Sequence, residues 1–176
     1  MNKNFNVSVL GGGSFGTVLA NLSAKNGLDT YLWVRDSELA LKINSESANK
    51  DYHPELKLSK KIFASEVLSE CVCNADLIFI ATPSSIIENV IDRIKPHIKG
   101  DVVLISCTKG LINDPTRTIT DYIKDQLIGK TAFERLGVLS GPNLAREIAD
   151  EKVAGSVIAS KSQHSKDLVI SALESN

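Results

Sequence analysis

Residues 7–17 read Val-Ser-Val-Leu-Gly-Gly-Gly-Ser-Phe-Gly-Thr. A short apolar run of β type feeds a G-x-G-x-x-G loop, and a helical pattern begins inside that loop. The context restricts the fold more than the glycines do. Gly11 permits a tight turn out of the strand. Gly13 carries no Cβ to keep a pyrophosphate from the backbone. Gly16 lets the helix lie close to the sheet. The loop N–H groups and the positive end of the helix dipole then face an anion. Glycine-rich turns also arise for structural reasons alone. A strand, this loop, a helix and a second strand in succession favour dinucleotide binding.

The alternation continues along the chain. The spacing predicts a helix over 14–26 with Gly27 just past it, a strand over 30–34, and a short helix over 38–43 that Ser37 can cap. Residues 44–58 are polar, contain Pro54 and read as a long loop. A weak strand over 62–64 and a weak helix over 66–72 follow. Residues 77–81 are a continuous apolar run, as expected of a strand buried on both faces of a parallel sheet, and 102–107 reads as another buried strand. Helices are expected over 85–94, 116–128, 144–149 and 163–173, and further strands over 138–140 and 154–159. Such alternation implies right-handed βαβ units, hence an α/β fold: a doubly wound, mostly parallel sheet of Rossmann type, forming a single domain over residues 1–176.

Composition excludes several classes of function. The net charge of −1 gives no electrostatic footprint for nucleic acid. No stretch approaches the ~20 apolar residues of a membrane-spanning helix, and the N-terminus lacks the shape of a signal peptide, so a cytoplasmic protein is expected. The three cysteines, Cys71, Cys73 and Cys107, form no disulfide framework, which suits a reducing compartment. Cys71 and Cys73 have no accompanying histidine or second cysteine pair. They read as buried or half-buried thiols and not as metal ligands.

In an open parallel sheet, ligands gather where the strands end. Five such exits carry glycine or polar residues: 11–16, Arg35-Asp36, Ala81-Thr82-Pro83-Ser84, Thr108-Lys109-Gly110 and Gly141-Pro142-Asn143. An acid near position 36 can bind a ribose 2′-hydroxyl, as in NAD. An arginine there can instead pair with a 2′-phosphate and stack on adenine. Both residue types are present, so the pattern leaves NAD against NADP open. Arg35 reads as a coenzyme contact, whereas Asp36 reads equally well as a helix-start residue. Lys109, at the end of a buried strand, can hold an anionic substrate or polarise a carbonyl. His53, His97 and His164 lack partners at catalytic or metal spacing and read as surface histidines. Asp76 reads as a turn acid.

The segments GGGSFGT (11–17), LWVR (32–35), NKDYHP (49–54), ATPS (81–84), TKGL (108–111) and SGPNLARE (140–147) occur in an order that resembles one family. It is the N-terminal coenzyme-binding domain of bacterial NAD(P)-dependent glycerol-3-phosphate dehydrogenase. The likeness covers nearly all of the chain, and TKGL together with SGP is far more specific than the glycine loop. The resemblance implies an oxidoreductase that interconverts dihydroxyacetone phosphate and sn-glycerol 3-phosphate and feeds glycerophospholipid synthesis. It implies coenzyme contacts from Gly11, Gly13, Ser14, Phe15, Gly16, Arg35, Lys109 and Ala145, and substrate contacts from Lys109, Gly141 and Asn143. Arg35 tilts the expected coenzyme toward NADPH, and the substrate is a small phosphate ester.

The chain departs from the family in four ways. Gly12 replaces the usual alanine, which reads as harmless in a loop. Asn143 replaces threonine or serine but keeps a donor and an acceptor. His53 replaces a leucine. The family's acid/base lysine lies in a helical domain beyond residue 176, so no catalytic residue is expected within this chain, and alone it should be nearly inactive. The face meant for that domain should be apolar enough to favour a homo-oligomer. Two other readings fit the glycine loop: a domain of the 6-phosphogluconate or 3-hydroxyisobutyrate dehydrogenase type, and a non-catalytic module that senses NAD(H).

Overall fold

A computed structural model describes residues 5–113, 115–127 and 134–174. Chain order runs β1 (Val7–Leu10), α1 (Ser14–Lys25), β2 (Thr30–Trp33), α2 (Ser37–Glu46), β3 (Ile62–Ser65), α3 (Leu68–Val72) and β4 (Leu77–Ile80). A 3-10 turn, Ser84–Ile86, leads into α4 (Ile87–Ile94) and β5 (Val103–Ser106). A small hairpin, β6 (Leu111–Ile112) and β7 (Arg117–Thr118), precedes α5 (Ile119–Gln126). Then come β8 (Leu136–Ser140), α6 (Ala145–Ala149), β9 (Val157–Ser160) and α7 (Gln163–Leu173).

The main sheet has seven strands in the order β3-β2-β1-β4-β5-β8-β9. Every pairing is parallel except β8 with β9. The chain winds outward from β1 to β3, then crosses back to β4 beside β1. That reversal opens a crevice at the carboxyl ends of β1 and β4, where loops diverge to opposite faces of the sheet.

Strand periodicity divides the core. Leu77 and Phe79 of β4, with Val103 and Ile105 of β5, face a cluster completed by α1, α2 and α7. Ile78 and Ile80, with Leu104, face the cluster of α3, α4 and α5. All of these strand residues are fully buried, and burying an aliphatic side chain of this size contributes about 1.5–3 kcal/mol. In α4 the buried positions are Ile87, Val90, Ile91 and Ile94, one stripe at helical spacing.

Several local expectations are corrected. Asp36, not Ser37, is the N-cap of α2, which runs on to Glu46 and so takes the start of the predicted loop. The last strand is antiparallel and begins at Val157. The hairpin takes Arg117 and Thr118, so α5 starts at Ile119, with Thr118 as its capping side chain. The predicted end of that helix at Ile128 lies outside the described residues. Asp76 is more than a turn acid: it accepts from the Asn6 N–H at 2.8 Å and pairs with Lys99 at 3.0 Å, tying the entry of β1 to that of β5.

Candidate functional site

A cleft of about 990 Å³ occupies the crevice, at the upper end of the size range for ligand pockets. Gly11, Gly13, Ser14 and Phe15 line it from the first loop, and Arg35 and Asp36 from the end of β2. Ala81, Thr82 and Pro83 line it from the end of β4, Lys109 from β5, and Asn143 and Ala145 from the start of α6. The fold thus gathers eight of the expected site residues around one space. Gly16 and Gly141 are not among the lining residues. Gly16 lies beneath the loop, where a Cβ would overlap the Gly11 carbonyl oxygen. Gly141 has φ +143, and a Cβ there would come within 2.9 Å of the Gly155 carbonyl oxygen.

The loop has the geometry that an anion cradle requires. Gly13 is the N-cap of α1 in extended conformation, and a Cβ built on it meets nothing within 4 Å. Its missing side chain therefore leaves open space in the cleft wall. The first turn of α1 contains no acid to neutralise the helix dipole. Gly11 has φ +118, and a Cβ there would lie 2.8 Å from the Ala81 carbonyl oxygen. Only glycine fits both the turn and the approach of β4.

Gly12 is not an indifferent exchange for alanine. A Cβ at this position would overlap Cγ1 of Val34, a stiff β-branched side chain that is itself buried. In this chain the two positions are matched in volume.

At the far end of the cleft Arg35 is exposed and makes no hydrogen bond or ion pair among the described residues. Asp36 is exposed, but its Oδ1 accepts from the Glu38 N–H at 2.8 Å. Trp33 walls this end of the cleft; its Nε1 donates to the Glu66 carbonyl oxygen at 3.0 Å, and the Arg93 guanidinium lies 5.8 Å from its ring centre. At the opposite end, Lys109 is exposed beside Gly110, whose φ is +106. Asn143 is buried, and its Nδ2 donates to Ser156 Oγ at 2.8 Å.

Sequence patterns miss one neighbour of this site. His53 is not a surface residue: it is buried, and its Nε2 lies 2.9 Å from the Ser14 carbonyl oxygen and 3.1 Å from Ser14 Oγ. These partners are 39 positions apart, so no local spacing announces them. His97 and His164 are exposed, as expected.

Two of the thiols are inert by position. Burial pushes the Cys71 thiol up to about 12, with further help from the nearby Glu70 charge. Burial likewise raises Cys107, which lies against the cleft. Cys73 is exposed, contrary to the expectation of a covered thiol. Among the described residues no three or more His, Cys, Asp or Glu side chains group as a metal site would require. No helix of those residues is long and apolar enough to cross a membrane.

The sequence profile of the family described as NAD-dependent glycerol-3-phosphate dehydrogenase N-terminus matches residues 6–166. Among similar proteins, the glycerol-3-phosphate dehydrogenase [NAD(P)+] of Acinetobacter baumannii (strain SDF) is 42% identical over 96% of this chain and 46% of its own length. That of Alcanivorax borkumensis is 38% identical over 96% of this chain and 48% of its own length. The chain therefore spans about half the length of these relatives. Among solved structures, glycerol-3-phosphate dehydrogenase from Coxiella burnetii is 28% identical and superposes with a TM-score of 0.83, covering 98% of this chain and 52% of the other. With a profile match spanning most of its length and the glycine loop at the start of α1 lining one cleft with Lys109 and Asn143, the chain belongs to the family of NAD-dependent glycerol-3-phosphate dehydrogenase N-termini.

Proposed function

We propose that this chain is the coenzyme-binding part of an oxidoreductase that interconverts dihydroxyacetone phosphate and sn-glycerol 3-phosphate. The observation that carries the reading is the open face of Gly13 at the N-terminus of α1, in the same cleft as Lys109 and Asn143. The residues fit a nicotinamide dinucleotide. Loop N–H groups at residues 13–16 hold the pyrophosphate. Arg35, without a partner among the described residues, would take the adenosine end and favour NADPH through its 2′-phosphate. Ala145 borders the coenzyme beside the substrate end.

When bound, the reduced nicotinamide supplies a hydride to the substrate's carbonyl carbon. Lys109 places a positive charge where the carbonyl oxygen becomes anionic, and so stabilises the transition state more than the ground state. The Asn143 amide is oriented by its bond to Ser156, which leaves its oxygen to accept from a substrate hydroxyl. Gly141 shapes the turn that carries Asn143. The alkoxide also needs a proton. We assign that step to a lysine in the further, helical half that the relatives' greater length accommodates.

Exposed apolar side chains near the end of the chain support a second body packed there. Leu144, Val153, Val157 and Ile170 are exposed, and a second cleft of about 740 Å³ lies between α1, α6 and α7. Without a cover, such a surface favours self-association. Free thiols suit a reducing, cytoplasmic setting, and the product would enter glycerophospholipid synthesis.

Calorimetric titration with NADPH and NADH tests the binding step; no heat with either at millimolar concentration rejects the reading. NADPH oxidation by dihydroxyacetone phosphate is then compared between this chain and one extended through the relatives' second half. Equal turnover would move the proton donor into this chain, with Lys109 the first residue to replace. Binding without turnover in either form would favour a sensing module.

A further inference from the structure

The polar segment after α2 is fastened to the glycine loop at two places. Asn49 Nδ2 donates to the Gly12 carbonyl oxygen at 3.0 Å and to Thr17 Oγ1 at 2.8 Å. Four residues on, His53 reaches Ser14, and a backbone bond from His53 N–H to the Asn49 carbonyl oxygen (2.9 Å) holds the two contacts in one turn. The segment therefore braces the loop from both sides of Gly13.

The His53 contact has a fixed polarity. A carbonyl oxygen can only accept, so the 2.9 Å approach of Nε2 to the Ser14 carbonyl requires the ring proton on Nε2. The other neutral tautomer would set the nitrogen lone pair against those of the oxygen. With Nε2 as donor, Ser14 Oγ at 3.1 Å cannot give its hydrogen to the ring and can only accept from it. The hydroxyl hydrogen is then left over. Ser14 Oγ has no other hydrogen-bond partner among the described residues, and Ser14 lines the cleft beside the open face of Gly13. That donor is left free to point into the cleft, toward an anion held at the N-terminus of α1.

We infer that His53 is a positioning residue for the coenzyme: by donating to Ser14 it turns the Ser14 hydroxyl into a dedicated donor for the pyrophosphate. This rests on the dinucleotide reading given above. Leucine fills the space but cannot donate, so the leucine variant removes the bond while keeping an apolar side chain in a buried position.

Two measurements test the inference. Nitrogen-15 NMR of the histidines in the unliganded chain reads the tautomer directly. A proton on Nε2 of His53 is expected, and protonation on Nδ1 alone overturns the inference. NADPH is then titrated by fluorescence against the wild type, His53→Leu, His53→Gln, Ser14→Ala and the double variant His53→Leu/Ser14→Ala, with melting temperatures recorded. His53→Leu should weaken binding about three- to tenfold, the loss of one hydrogen bond. His53→Gln, whose amide can donate from a similar place, should recover most of the loss. In the Ser14→Ala background the leucine change should have no further effect. Unaltered binding in His53→Leu, or an equal loss with and without Ser14, would mean that His53 only fills space and would overturn the inference. If the wild type itself binds no NADPH, the dinucleotide reading fails and the inference falls with it. A binding wild type with an indifferent His53 defeats the inference alone.

Discussion

The carboxylate of Asp36 accepts the backbone N–H of Glu38 at 2.8 Å, and that bond makes Asp36 the N-cap of α2 while Arg35 beside it has no partner among the described residues. One of two adjacent charges at the end of β2 is thus committed to the fold and the other is available to a ligand. Replacing Arg35 with Ala should weaken NADPH more than NADH, by ~1–3 kcal/mol for a lost charge-assisted hydrogen bond. Competitive titration of both coenzymes checks it. An equal loss would reduce Arg35 to stacking on adenine.

Asp36 gives the complementary prediction. Asp36→Ala should lower stability by about 1 kcal/mol through loss of the cap. Asp36→Asn keeps a capping oxygen and removes the charge, so the melting temperature should hold while NADPH gains on NADH. An unchanged ratio would show that the capping bond draws the carboxylate away from the ribose.

Gly13 and Gly16 should fail in different ways. A side chain on Gly13 meets open space, so Gly13→Val should abolish coenzyme binding with the circular dichroism spectrum and melting point intact. At Gly16 even a methyl group overlaps the Gly11 carbonyl oxygen. Gly16→Val should therefore destabilise the domain by several kcal/mol, in the range of overpacked core sites. Denaturant titration separates the two outcomes.

The thiols predict both a labelling pattern and a pH dependence. Iodoacetamide should modify Cys73 quickly, and Cys71 and Cys107 only once denaturant opens the core. Burial raises the folded pKa of Cys71 to about 12, so the folded state holds its proton more tightly than the unfolded chain does. The associated stability is complete below the unfolded thiol value, about 8.5, and falls as pH rises from there toward 12. Urea midpoints measured from pH 7 upward should decline above pH 9, and Cys71→Ala should flatten that decline.

Asn44 closes the β3 edge of the sheet. Its amide accepts from the Ala64 N–H and donates to the Ala64 carbonyl oxygen, each at 2.8 Å, as a neighbouring strand would. Asn44→Ala should cost about 1 kcal/mol per bond lost and should promote association along that edge. Urea unfolding and sedimentation velocity measure the two effects.

The central strands are legible in the sequence because strands buried on both faces read as near-continuous apolar runs, unbroken over 77–80 and ending on Ser106 over 103–106. The α1 start is legible because the glycine loop has one dominant geometry. The hairpin of Leu111–Ile112 with Arg117–Thr118 is not, since two residues a side carry no periodicity. The direction of β9 is equally hidden: its four residues pattern alike in either sense, and only the short connection through α6 turns it antiparallel to β8. At the site, Gly13, Ser14, Arg35, Lys109 and Asn143 stand at strand or helix ends and could be found from position alone. His53 could not, because a polar loop shows nothing of the fold that buries it 39 positions from its partner.

The shared volume of Gly12 and Val34 makes substitution at either position conditional on the other. Alanine at position 12 overlaps Val34 as it stands, yet would be accommodated once position 34 had shrunk. Gly12→Ala should therefore be harmful in this chain and neutral in a Val34→Ala background. Of the two orders in which both changes could accumulate, only the one that begins at position 34 avoids a clashing intermediate. Alanine at position 12 is in this sense separated from this chain by the state of a residue just past the neighbouring strand.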